Sequence, residues 1–190
     1  MICNHQSHLD LMYLLALSDK IAVVTNGWVY NSPVYGNFVK KAGFVCIDDG
    51  VEANMEKLKA LKAEGISILI FPEGTRSQDC SILKFRSGAF ALASELELDI
   101  LPVVLFGPGE ILPKGEHILR RGKVAIQLCD EVPYPQLKDW GIRPLKQAQE
   151  FRRFYETAYL SLEGKVAQDR KYKNYRDNDR NLYRSEGEMV

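Results

Sequence analysis

Residues 66–77 read ISILIFPEGTRS, and the first six of them decide the fold. Apart from Ser67, their side chains are apolar and follow one another without the alternation of a half-buried strand. Such a run suits a strand covered on both faces, in the middle of an α/β sheet. Phe71 and Pro72 end it and Gly74 loosens the turn, so Glu73, Thr75 and Arg76 emerge at the carboxyl end of a central strand. Open α/β sheets bind ligands at that edge. An arginine there suits a phosphate or a carboxylate, which its planar fork grips bidentately. The plainer alternative is a polar loop in which Arg76 pairs with Glu73.

Outward from this stretch, helical and strand patterns alternate. VEANMEKLKALKAEG (51–65) has the spacing of an amphipathic helix closed by Gly65. SGAFALASELE (87–97) and PLKQAQEFRRFYETAYLSLEGKV (144–166) read as helices, and a further helix is expected from Ser32-Pro33 through Val39. KIAVVT (20–25), FVCI (44–47), ILPVVLF (100–106) and KVAIQL (123–128) read as strands. The expected fold is α/β, a single domain with a central, largely parallel or mixed sheet flanked by helices. That domain covers residues 1–167. Residues 168–190 are charged and nearly devoid of aliphatics, so they read as a tail or linker.

Composition removes several functional classes. The 190 residues suit one domain. Twenty-five basic residues balance twenty-five acidic ones, so no bulk field points to nucleic acid. Cys3, Cys46, Cys80 and Cys129 lack CxxC spacing and read as reduced thiols of a cytosolic setting. No signal peptide is visible, and the apolar runs fall short of the ~18 residues that a membrane span needs.

The second polar cluster is MICNHQSHLD (1–10), followed at once by LMYLLAL (11–17). SHLDLMYLLAL has helical spacing, with Ser7 as its expected N-cap and Asp10 in the acid position of a capping box. With His5 in the entering loop, the chain can fold back so that Asp10 accepts a hydrogen bond from one imidazole nitrogen. That fixes the tautomer and makes the other nitrogen a general base. Two other readings stay open on the residues alone. His5 and His8 can merely cap or solvate a helix start. Cys3, His5, His8 and Asp10 are also metal-ligand types, although their spacing matches no standard zinc pattern.

Four blocks together resemble the glycerolipid acyltransferase family, which includes bacterial 1-acyl-glycerol-3-phosphate acyltransferase. They are NHQSHLD (4–10), GFVCIDD (43–49), FPEGTRS (71–77) and LPVV (101–104), in that order. KFRSGAFALA (84–93) and GEILPKGEHILRRGKVAIQL (109–128) also look like family sequence, so the resemblance covers roughly residues 2 to 135. It implies the glycerolphosphate acyltransferase-like fold and a fatty-acyl transfer from acyl-CoA or acyl-ACP to the hydroxyl of a lysophospholipid such as 1-acyl-glycerol-3-phosphate. The protein would then belong to phospholipid biosynthesis. His5 and Asp10 would be the catalytic pair, and Glu73, Gly74, Thr75 and Arg76 would hold the acceptor's head group. The thioester is a co-substrate, and no cofactor, metal or covalent enzyme intermediate is implied. Asn4 would donate to the oxyanion or close the turn, and His8 would be structural.

One block departs from the family pattern. Asp49 stands where the second motif usually ends in arginine, and an aspartate repels a phosphate dianion. Either Lys40, Lys41, Lys84 or Arg86 supplies the charge, or the acceptor is a lyso-aminolipid or another hydroxylated lipid. A non-catalytic lipid-binding module and a hydrolase releasing free fatty acid are the functional alternatives. Family members usually carry tens of residues before the first motif, often hydrophobic ones that seat the enzyme on the membrane. The resemblance therefore implies an N-terminally truncated domain, soluble by itself, from an enzyme peripheral to the cytoplasmic face of a membrane.

Overall fold

The computed structural model describes residues 1–25, 27–30, 44–46 and 54–169. The helix expected after Ser32-Pro33, the residues Lys40, Lys41 and Asp49, and the tail beyond Asp169 lie outside the described residues. Six strands are described: β1 (Ile2–Cys3), β2 (Ile21–Thr25), β3 (Val45–Cys46), β4 (Ser67–Leu69), β5 (Pro102–Phe106) and β6 (Ala125–Leu128). They pair as β3–β2–β4 and β1–β5–β6. The two groups meet where Ile2 bridges Ile70 in parallel. There the Cys3 N–H donates to Ile70 O at 3.1 Å and the Ile70 N–H to Met1 O at 3.0 Å. Hydrogen bonding thus runs β3–β2–β4–β1–β5–β6, parallel except for the antiparallel β5–β6 edge. The run at 66–71 lies in the middle, as its lack of alternation requires.

Helices cover both faces. Along β5 all five residues are buried, and their side chains alternate between layers. Val104 and Phe106 join Ile2, Phe85, Phe90, Phe151 and Tyr155 in one core, beneath the helices Gly88–Glu95 and Pro144–Gln168. Val103 and Leu105 join Cys3, Leu69 and Leu14 in the other. The long C-terminal helix presents Gln147, Ala148, Phe151, Tyr155, Ala158 and Leu162 to the core at intervals of one turn or less. From it the Tyr155 hydroxyl donates to Ile2 O and accepts the Val103 N–H, stapling β1 to β5.

Local stop signals launch the strands. The helix Met55–Ala63 ends where Gly65 turns to φ +68°. The Gly65 N–H donates to Lys62 O and the Ile66 N–H to Leu61 O, a Schellman closure that feeds directly into β4. The first helix, α1, departs from expectation. It spans Asp10–Leu15 and does not start at Ser7. The Ser7 hydroxyl still accepts the Leu9 N–H at 3.3 Å, as a cap would, and donates to Leu112 O at 2.8 Å, while residues 5–9 form a loop ahead of the helix.

Candidate active site

That loop is what lets His5 and Asp10 meet. The Gln6 and Ser7 N–H groups both donate to Asp10 Oδ2, at 2.7 and 2.9 Å, and curl the chain back over the start of α1. The bond from Ser7 is the acid's half of the expected capping box. The fold-back brings His5 Nδ1 to 2.7 Å from the same oxygen. A carboxylate oxygen holding two backbone N–H groups is an acceptor, so Nδ1 carries the proton and Nε2 is left as the basic nitrogen. Asp10 is fully buried, whereas the His5 side chain keeps 18% of its surface exposed.

The 71–77 loop grips the rest of His5. Phe71 stacks on the imidazole with centroids 4.1 Å apart and planes 19° apart. The His5 N–H donates to Glu73 Oε1 at 2.9 Å, and His5 O accepts the Ser77 N–H at 3.0 Å. Glu73 Oε2 accepts the Leu83 N–H at 3.0 Å. The Glu73 carboxylate is therefore turned inward and buried, with both oxygens on main-chain donors. This arrangement braces the His5 backbone and differs from the outward head-group contact expected of Glu73. Burial pushes the Glu73 carboxyl up to about 7 against the pull of its two backbone hydrogen bonds.

Gly74 and Thr75 are exposed and Arg76 half-buried. Gly74 sits at φ +68°, and a Cβ there would meet Arg86 Nε at 2.9 Å, so the Arg86 side chain lies across the turn. Lys114 completes the cluster: its amine donates to Arg76 O at 2.9 Å and Thr75 Oγ1 at 3.2 Å. Of the reserve cations Lys40, Lys41, Lys84 and Arg86, the structure brings Arg86 to this loop. Lys114 was missed because nothing local distinguishes a lysine 38 positions after Arg76. Burial and then the charge of Arg76 hold the His8 imidazole below its ordinary range, which favours a neutral ring.

Two neighbours of the pair serve the framework. The Asn4 amide donates to Leu105 O at 2.9 Å and accepts the Leu105 N–H at 2.8 Å, extending the β1–β5 pairing past Cys3. Asn4 thus joins β1 to β5, and neither the oxyanion contact nor the closing of its own turn enters these two bonds. Gln6 donates to Cys80 O and to the Tyr159 hydroxyl, each at 2.9 Å, tying the loop to the C-terminal helix. Among the described residues no three His, Cys, Asp or Glu side chains gather as metal ligands. Cys3 is packed in the core, where burial, then Asp10 and Glu73, keep it a thiol.

The Acyltransferase family matches residues 1–106, more than half of the chain. The chain belongs to the acyltransferase family. It is 33% identical over 137 residues to a 1-acyl-sn-glycerol-3-phosphate acyltransferase of Chlamydomonas reinhardtii, covering 70% of this chain and 41% of that protein. It is 34% identical over 134 residues to a chloroplastic 1-acyl-sn-glycerol-3-phosphate acyltransferase of Arabidopsis thaliana, covering 66% of this chain and 36% of that one. This acyltransferase-family chain therefore spans about two fifths of the length of those relatives. Its fold is shared with the crystal structure of the 1-acyl-sn-glycerophosphate acyltransferase PlsC from Thermotoga maritima. The TM-score is 0.68 at 24% identity, over 88% of this chain and 66% of that one.

Proposed function

We propose that this chain carries the catalytic centre of an O-acyltransferase that moves a fatty acyl group from a thioester to the hydroxyl of a lysophospholipid, with 1-acyl-glycerol-3-phosphate as the acceptor. The acyltransferase relatives bear that acceptor in their names. The observation that carries the reading is the His5–Asp10 pair, with the His5 backbone clamped by Glu73. Asp10 holds the proton on Nδ1, and Nε2 takes the proton of the acceptor hydroxyl as its oxygen attacks the thioester carbonyl. A C–O bond forms, and the tetrahedral intermediate then breaks its C–S bond. The departing thiolate recovers the proton from Nε2, so the histidine ends as it began. A thioester is already activated, which leaves the protein chiefly to position two substrates and move one proton.

Arg76, Lys114 and Arg86 hold the anionic head group of the acceptor, with Gly74 and Thr75 shaping the turn. The thioester is acyl-CoA or acyl-ACP, and the enzyme works peripherally at the cytoplasmic face of a membrane. Among the described residues no helix is long and apolar enough to cross one. The test is direct. The chain, supplied with lysophosphatidate and a radiolabelled acyl thioester, should yield labelled phosphatidate and free thiol in equal amounts. Release of free fatty acid alone, or equal product formation by a His5→Ala variant, would overturn the reading.

A further inference from the structure

The loop between the short helix Pro108–Ile111 and β6 has an unusual composition for a solvent-facing segment. Residues 114–123 read KGEHILRRGK, in which Ile118 is 78% exposed and Leu119 65%. Both ends of the loop are pinned. Lys114 is bonded to the 75–76 turn, and the Arg120 N–H donates to Ile111 O at 2.8 Å. Gly122 lies against Ile111, where a Cβ would meet Cγ1 at 2.5 Å, and Gly107 lies against Lys123 O. The tip between these anchors is exposed, and Ile118 and Leu119 make it apolar. Lys114, at the start of the loop, holds Arg76 O and Thr75 Oγ1, so the loop leaves from beside the site.

The charge around the tip is one-sided. Glu116 answers Arg120 at 2.7 Å and Asp169 answers Lys123 at 2.6 Å. Arg121 and Lys114 have no carboxylate at ion-pair distance among the described residues. Two adjacent apolar side chains are too few for the core of a protein interface, which ordinarily covers about 800 Å² on each partner. They do suit a fluid acyl phase, where shallow insertion combines with cations at anionic head groups.

We propose that the 114–123 loop docks the protein on an anionic phospholipid surface, with Ile118 and Leu119 entering the acyl boundary and Arg121 meeting the head groups. The loop then holds the mouth of the His5 site against the layer that contains a lysophospholipid. The inference extends the function proposed above, but it is read by binding and not by turnover.

The full chain is mixed with vesicles of phosphatidylcholine and phosphatidylglycerol in equal parts, or of phosphatidylcholine alone, and partitioning is measured by flotation. Wild type should prefer the anionic vesicles and lose that preference in high salt. The double variant Ile118→Asp/Leu119→Asp should partition at least ~10-fold more weakly, and Arg121→Gln several-fold more weakly. Both should unfold at the wild-type temperature, because the three side chains are exposed. A Leu119→Trp variant should gain fluorescence quenched by lipids brominated in the acyl chain. Equal partitioning of wild type and the double variant, or binding to an acidic protein but not to anionic vesicles, would overturn the proposal. Turnover of a short-chain acceptor soluble in water should be unchanged in the double variant. A failure of that turnover in wild type would count against the proposed function and leave the vesicle result standing.

Discussion

The backbone N–H of His5 donates to Glu73 Oε1 at 2.9 Å, across 68 positions of sequence. A carboxylate from the loop after β4 thus holds the main chain of the residue that bears the imidazole. Ring orientation comes separately, from Asp10 on the edge and Phe71 on the face.

His5→Ala should lower acyl transfer at least ~100-fold, the usual scale for losing general-base help. The fold should persist, since the ring stacks on Phe71 at a partly exposed position. Asp10→Asn should be as inactive and also less stable. Oδ2 takes three hydrogen bonds in the wild type, and bonds to a charged acceptor are each worth about 1.5–3 kcal/mol. Thermal unfolding alongside the assay separates the two cases, and a stable Asp10→Asn protein with wild-type turnover would refute the assignment.

Glu73→Gln should both destabilise the protein and slow it. An amide offers one acceptor and one donor where two N–H groups must be met, so the His5 or Leu83 N–H loses its partner at a cost of about 1–3 kcal/mol. The variant should also flatten a pH slope. Burial raises the Glu73 carboxyl from 4.5 to about 7, so the folded protein holds this proton more tightly than the unfolded chain. The resulting stability, on the order of 3 kcal/mol, is complete below about pH 4.5 and is lost as pH rises through about 7. Urea titrations at pH 5 and pH 8 should differ more in wild type than in Glu73→Gln.

Arg76→Ala should act mainly on binding. Removing a charge-assisted contact worth about 1.5–3 kcal/mol should raise the KM for an anionic acceptor about 10- to 100-fold, with a smaller change in kcat. Lys114→Met should raise KM less, since the loop keeps its guanidinium but loses the anchor on the Arg76 carbonyl. Both effects should shrink at high ionic strength. A fall in kcat at constant KM would place Arg76 in the chemical step instead.

Gly109→Ala should damage the site from behind. A Cβ there would lie 2.4 Å from Cys80 Sγ and 3.1 Å from Gln6 Cβ, with the chain already packed on both sides. Over-packing of this kind costs about 1–3 kcal/mol. Gln6 adjoins His5, so turnover should fall with stability, whereas Gly115→Ala, with open space around its Cβ, should leave packing at the site intact despite its positive φ.

Much of this molecule was legible in the order of its residues. The apolar runs at 68–71 and 100–106 marked strands covered on both faces, and Gly65 marked the stop that feeds the first of them. The pairing of His5 with Asp10 was legible because it is local: five positions and one turn contain it. The inward turn of Glu73, the Asn4–Leu105 pair and the approach of Lys114 to Arg76 were not. Those contacts join residues 68, 101 and 38 positions apart, and they exist because β1 inserts between β4 and β5. Periodicity along a chain reports which face of an element avoids water. The strand that lies next to it, and hence which distant side chain reaches a given backbone donor, depends on the packing of the whole sheet.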